Sequence, residues 1–95
     1  MGHAIDLAED AKADLRALHA KDRVHLIEAL EKYLVDRPDV EEGRKKYLAA
    51  PGTWQLAVGE HRVWYDVSGE RVTVTVVFYK GRLPTAEALA QRRTP

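Results

Sequence analysis

Trp54-Gln55-Leu56-Ala57-Val58-Gly59-Glu60-His61-Arg62-Val63-Trp64-Tyr65-Asp66-Val67-Ser68-Gly69-Glu70-Arg71-Val72-Thr73-Val74-Thr75-Val76-Val77-Phe78-Tyr79 decides the fold. Trp54, Leu56 and Val58 alternate with Gln55 and Ala57; Val63, Tyr65 and Val67 alternate with Arg62, Trp64 and Asp66. Val72, Val74, Val76 and Phe78 then alternate with Thr73, Thr75, Val77 and Tyr79. A period of two belongs to the β-strand, whose successive side chains leave on opposite faces. Gly59-Glu60 and Ser68-Gly69 fall between the runs as short turns, so the stretch predicts a three-stranded antiparallel meander.

The alternation also sorts the two faces. Trp54, Leu56, Val58, Val63, Tyr65, Val67, Val72, Val74, Val76 and Phe78 make an apolar face that needs cover. Tyr65 belongs to it, with its hydroxyl satisfied near the covering layer. Gln55, Ala57, Arg62, Trp64, Asp66, Thr73, Thr75, Val77 and Tyr79 fall on the other face. Arg62, Trp64 and Tyr79 would there form an open surface suited to stacking bases and binding phosphate.

Upstream lie the elements that can provide the cover. His3 to Leu7 alternates weakly and reads as a short strand. Glu9 and Asp10 open a helix with Ala11, Leu15 and Leu18 on one stripe, acidic where the helix dipole is positive. His19 to Asp22 reads as a break with Asp22 as N-cap of a second helix, whose apolar face is Val24, Ile27, Leu30 and Leu34, flanked by Leu26 and Tyr33. Arg37-Pro38 stops it. Residues 38–52 read as an irregular connector in which Arg44 to Leu48 holds at most a helical turn. Beyond Pro84, Ala86 to Arg93 reads as a marginal, partner-dependent short C-terminal helix. The expected class is α+β, as one domain over residues 1–95: N-terminal strand, helical hairpin, three-stranded antiparallel meander.

Composition narrows the function. The 95 residues contain no cysteine, and no apolar run approaches the roughly 20 residues of a bilayer-spanning helix. A reducing cytoplasm without membrane contact is the expected home. Net charge is zero, yet residues 1–42 hold six Lys or Arg against eleven Asp or Glu, and residues 43–95 hold nine against four. An anionic partner is expected to meet the second half. His3, His19 and His25 stand singly without metal-ligand spacing, and no glycine-rich phosphate loop occurs, so no cofactor is expected. His61 should point away from its neighbour Arg62, which speaks against a catalytic role for it.

The order of elements, together with Lys46-Tyr47-Leu48, Pro51-Gly52-Thr53-Trp54-Gln55-Leu56 and Val58-Gly59-Glu60-His61-Arg62-Val63-Trp64-Tyr65-Asp66, resembles the RelE/ParE toxins of type II toxin–antitoxin systems. Ala11, Leu15, Leu18 and Arg23 also match the family pattern. The resemblance implies a toxin held inactive by a cognate antitoxin. In the RelE branch it implies a metal-independent endoribonuclease, an mRNA interferase that inhibits translation by cutting mRNA on the ribosome. In the ParE branch it implies a DNA gyrase inhibitor without nuclease activity, and a degenerate member would only bind its antitoxin. A homodimer is compatible with any of these.

Carried onto this chain, the resemblance makes Arg62, Arg82 and Lys80 the catalytic candidates. Arg44, Lys45, Lys46, Trp64 and Tyr79 become candidates for RNA or ribosome binding. The sequence also departs from the RelE pattern. Gln55 and Ala57 stand where RelE toxins carry lysines, Ala57 also replaces the arginine of the Trp-x-Leu-Arg motif, and Ala88 replaces a C-terminal tyrosine.

Overall fold

The structure, a computed structural model, describes residues 2–41, 43–49 and 53–82. Seven elements follow one another among the described residues: β1 (Ala4–Leu7), α1 (Glu9–Arg16), α2 (Ala20–Leu34), β2 (Lys45–Ala49), β3 (Thr53–Val58), β4 (His61–Ser68) and β5 (Arg71–Tyr79). The strands form one mixed sheet in the order β1-β5-β4-β3-β2, with β1 parallel to β5 and the other pairs antiparallel. The expected α+β class and the meander are present, and the short C-terminal helix lies outside the described residues.

The connector differs from expectation. Lys45 to Ala49 is an edge strand rather than a helical turn, paired with β3 through Lys45–Leu56, Lys46–Gln55 and Tyr47–Trp54. Local sequence there is a short charged run, and strand pairing with a neighbour overrides that weak preference. Tyr47 sets its ring edge-on to Trp54, with centroids 5.1 Å apart.

The helices cover one face of the sheet. Leu26, Ala29, Leu30 and Leu34 of α2 are buried with Ala11 and Leu15 of α1, against Leu56, Val63, Tyr65, Val72 and Val74. Val24 is 54% exposed and Ile27 37%, so the buried stripe is rotated from the predicted one. Leu26, Ala29, Leu30, Tyr33 and Leu34 give five positions at helical spacing, one more than the stripe through Val24 and Ile27, with small Ala29 as one of them. The N-cap is His19, and Asp22 sits in the first turn instead. Arg23 closes the hairpin: its Nε donates to the Leu15 carbonyl at 3.1 Å and its Nη2 to the Leu18 carbonyl at 2.9 Å. The carbonyl end of α1 thereby gains a cation, favoured by both hydrogen bonding and the helix dipole.

Tyr65 is fully buried, and its hydroxyl donates to the Pro38 carbonyl at 2.6 Å. Burial pushes its phenol above the usual range, and the nearby Asp39 carboxylate adds to the effect.

A β-bulge redirects the last strand. Trp64 pairs with Val76 but Tyr65 pairs with Val74, leaving Thr75 as the extra residue. The Thr75 hydroxyl donates to the Trp64 carbonyl at 3.2 Å. One added residue exchanges the faces beyond it. Val77 therefore enters the core under the helices, while Phe78 stands beside Trp64 on the opposite face with ring centroids 5.2 Å apart. Both placements reverse the simple alternation, and Tyr79 is carried over with Val77.

Candidate functional site

Three backbone contacts gather the basic residues at one end of the sheet. The β3–β4 turn, with Gly59 at φ +57°, carries the chain from Val58 into His61. Glycine tolerates this left-handed conformation, as the first position of a two-residue hairpin requires. The Lys80 N–H donates to the Glu60 carbonyl at 2.7 Å, which ties the residues after β5 to that turn. The Ala57 N–H donates to the Arg44 carbonyl at 2.9 Å, bringing the start of β2 alongside. Finally, the Arg82 N–H donates to the Tyr79 carbonyl at 2.9 Å across Gly81. Arg44, Arg62, Lys80 and Arg82 are thus neighbours in the fold although they span much of the sequence.

Arg62 lies on the open face, opposite Ala57 on one side and Phe78 on the other. Its Nη1 donates to the carbonyls of Gly59 at 2.9 Å and His61 at 2.8 Å. The guanidinium is therefore held at the turn, with Nε and Nη2 outside these bonds. Trp64 is half-buried on the same face, and its indole N–H donates to Gln55 Oε1 at 2.9 Å. The open aromatic surface is consequently Trp64 with Phe78, rather than Trp64 with Tyr79. Lys46 is exposed opposite Gln55.

Lys45 has a different place from the one expected. It is 8% exposed, and its ammonium donates to the Arg37 carbonyl, so it anchors the edge strand to the connector. That burial removes it from an RNA-contacting set. Arg44 is exposed and approaches the Tyr33 ring, 5.7 Å from its centroid.

Tyr79 belongs to the helix side of the sheet end. It is 50% exposed, and its ring meets His61 edge-on with centroids 5.7 Å apart. Together with Arg82, Leu18 and Asp14 they line a cleft of about 440 Å³ between the end of α1 and the end of β5. Asp14 Oδ2 accepts the Val77 N–H at 3.0 Å. That amide is open to a side-chain acceptor because β1 leaves the edge of β5 after pairing Leu7 with Val74. His61, Asp14 and Phe78 are the members of this region that sequence reasoning missed. The orientation of His61 away from Arg62 was readable; the arrival of Tyr79 beside it depends on the bulge, which leaves no simple signal in the alternation.

The arrangement can hold an anion at either side of the sheet end. Arginine side chains offer several donors in a planar fork, and such charge-assisted bonds to phosphate are among the stronger ones available. Among the described residues, no group of three or more His, Asp or Glu is set to hold a metal ion, and no helix is long and apolar enough to cross a membrane.

The fold has known counterparts. A variant of the Escherichia coli toxin RelE with two arginines replaced by alanine, in the free state, superposes with a TM-score of 0.74 at 23% identity, covering 97% of this chain and 95% of that one. The toxin–antitoxin complex RelBE2 from Mycobacterium tuberculosis gives 0.67 at 18% identity, with 84% of this chain and 100% of that chain covered. The archaeal RelE–RelB complex from Pyrococcus horikoshii OT3 gives 0.71 at 15% identity, with 87% and 100% covered. No family model matches the sequence, and a search of curated proteins finds no match either. The chain has the RelE-like toxin fold.

Proposed function

We propose that this chain is the toxin of a type II toxin–antitoxin pair and inhibits translation by cutting mRNA in the ribosomal A site. The observation that carries the reading is the meeting of Arg44, Arg62, Lys80 and Arg82 at one end of a RelE-like sheet, through the Lys80–Glu60 and Ala57–Arg44 backbone bonds. In the proposed reaction the ribosome presents the RNA, and the 2′-oxygen attacks the adjacent phosphorus. The P–O5′ bond breaks, leaving a 2′,3′-cyclic phosphate, and the 2′-hydroxyl proton passes to solvent or the ribosome as the leaving 5′-oxygen gains one. Arg62 binds the reacting phosphate and stabilises the charge that builds on it, while Arg82 holds a neighbouring phosphate of the strand. Lys80 adds positive potential, while Arg44 and Lys46 contact flanking RNA or ribosomal phosphate. Such chemistry places the protein in the cytoplasm, in keeping with a chain that has no cysteine.

The deciding experiment is mRNA cleavage on programmed ribosomes by the wild type, Arg62→Ala and Arg82→Ala, with folding checked by circular dichroism. A lost charge-assisted contact is worth about 1.5–3 kcal/mol, so each variant should cut about 10- to 100-fold more slowly. Unchanged cleavage in both folded variants would remove the arginines from the mechanism.

One feature favours a second reading. Gln55 and Ala57 leave the open face beside Arg62 neutral on the β3 side. A gyrase-binding member of the fold needs no phosphate site there. Absence of cleavage together with a DNA-damage response on expression would support gyrase as the target.

A cognate antitoxin is the proposed partner in either case, covering exposed apolar side chains such as Val24 and Ile27 on α2. Mixing with the neighbouring gene product should slow hydrogen exchange in α2. Exchange that stays the same along the whole chain would exclude such a complex.

A further inference from the structure

We propose that the cleft between the end of α1 and the end of β5 is a nucleotide site: an unstacked base packs against the Tyr79–His61 pair while Arg82 binds its phosphate. The ligand class rests on the ribosomal reading above; the cleft itself is on the opposite side of the sheet end from Arg62 and Trp64.

Three observations support it. First, the rings are preset. Tyr79 is half exposed, yet its ring is braced edge-on by His61 with an interplanar angle of 88°. A braced aromatic face loses little freedom when a flat ligand stacks on it, and base–aromatic stacking works with any base. Secondly, the cleft is of mixed character and adequate size. Its volume of about 440 Å³ lies within the range of small-molecule sites, with Leu18 and Val77 supplying apolar wall and Arg82 a cation.

Thirdly, charge sets the direction of the ligand. Asp14 lines the α1 side of the cleft and already accepts the Val77 N–H. A carboxylate on that side disfavours phosphate. The phosphate must then face Arg82, near Lys80 and the sheet end, while the base points toward α1. A nucleotide bound this way would extend a strand whose reacting phosphate sits at Arg62, with the RNA passing around the end of the sheet. The bulge at Thr75 makes this geometry, because it turns Tyr79 from the open face to the cleft.

The test is an NMR titration of the full chain with 5′-AMP, without ribosomes, followed by the same titration with inorganic phosphate. Saturable shifts at His61, Tyr79, Leu18 and Arg82 are expected with AMP. Tyr79→Ala should weaken AMP binding at least about fivefold, and Tyr79→Phe should stay within about twofold of wild type. Arg82→Ala should weaken binding and flatten its salt dependence. Shifts confined to Trp64 and Gln55, no saturable shift at millimolar AMP, or equal affinity for phosphate alone would overturn the proposal. Ribosomal cleavage by a protein that does not bind AMP in the cleft would sink this site and leave the nuclease reading standing. AMP binding by a protein that cuts nothing on ribosomes would do the reverse.

Discussion

Tyr65 shows how much one side chain can do in a chain of this size. It fills the core completely, and its hydroxyl satisfies the Pro38 carbonyl beyond α2, so a single residue joins the sheet to the connector. Tyr65→Phe removes the donor but leaves the ring, and should cost about 1–3 kcal/mol in urea denaturation because a buried carbonyl loses its partner. The same residue gives a sign for alkaline pH. Its folded pKa is raised, so below about pH 10 both states hold the proton and stability does not change on its account. Above that value the unfolded phenol ionises while the folded one does not, and stability falls as pH rises. The wild type should therefore lose more stability than Tyr65→Phe between about pH 9 and 11 (one unit either side of the free phenol). Equal losses would mean that the hydroxyl is not held protonated by its surroundings. Tyr65 was legible as core from alternation alone. Lys45 was not: in sequence it is one of three consecutive cations, and only the strand pairing that puts it opposite Leu56 turns it inward.

At the scale of elements, what alternation could read is the meander up to Val74, and what it could not read is everything the bulge moves. An inserted residue preserves the look of an alternating run of valines while exchanging its faces, since Val76 and Val77 are equally apolar. The rotation of α2 has a similar origin. Val24, Leu26, Ile27, Ala29 and Leu30 are all apolar, so two stripes fit the helical period and only packing decides between them. The bulged end of β5 leans on α1 through Asp14. Asp14→Ala should leave the Val77 amide without this acceptor and destabilise the fold by about 1–3 kcal/mol. Asp14→Asn, which retains a carbonyl oxygen, should recover most of that. Hydrogen exchange at Val77 is the direct readout, and protection that survives in Asp14→Ala would show that another group satisfies the amide.

For the molecule as a whole, zero net charge looks like a poor match to a nucleic-acid partner, but the fold separates its charges along the strands. Arg44, Arg62, Lys80 and Arg82 meet at the β3–β4 turn, whereas Glu70 lies in the β4–β5 turn at the other end of β4. Eight residues of β4 separate the turns, about 25 Å of extended chain. The Debye length near physiological salt is about 8 Å, so charges at one end are almost invisible to a phosphate at the other. A partner then responds to the local cluster and not to the sum over the chain. Glu60→Gln and Glu70→Gln raise the net charge equally and touch exposed side chains at opposite ends. In fluorescence anisotropy with a single-stranded RNA oligonucleotide at physiological salt, Glu60→Gln should tighten binding about twofold, while Glu70→Gln should leave it unchanged. Lowering the salt tenfold lengthens the Debye length to roughly 25 Å, and Glu70→Gln should then begin to tighten binding as well. Equal effects of the two substitutions at physiological salt would mean that RNA senses total charge, and that the basic end of the sheet is not where it binds.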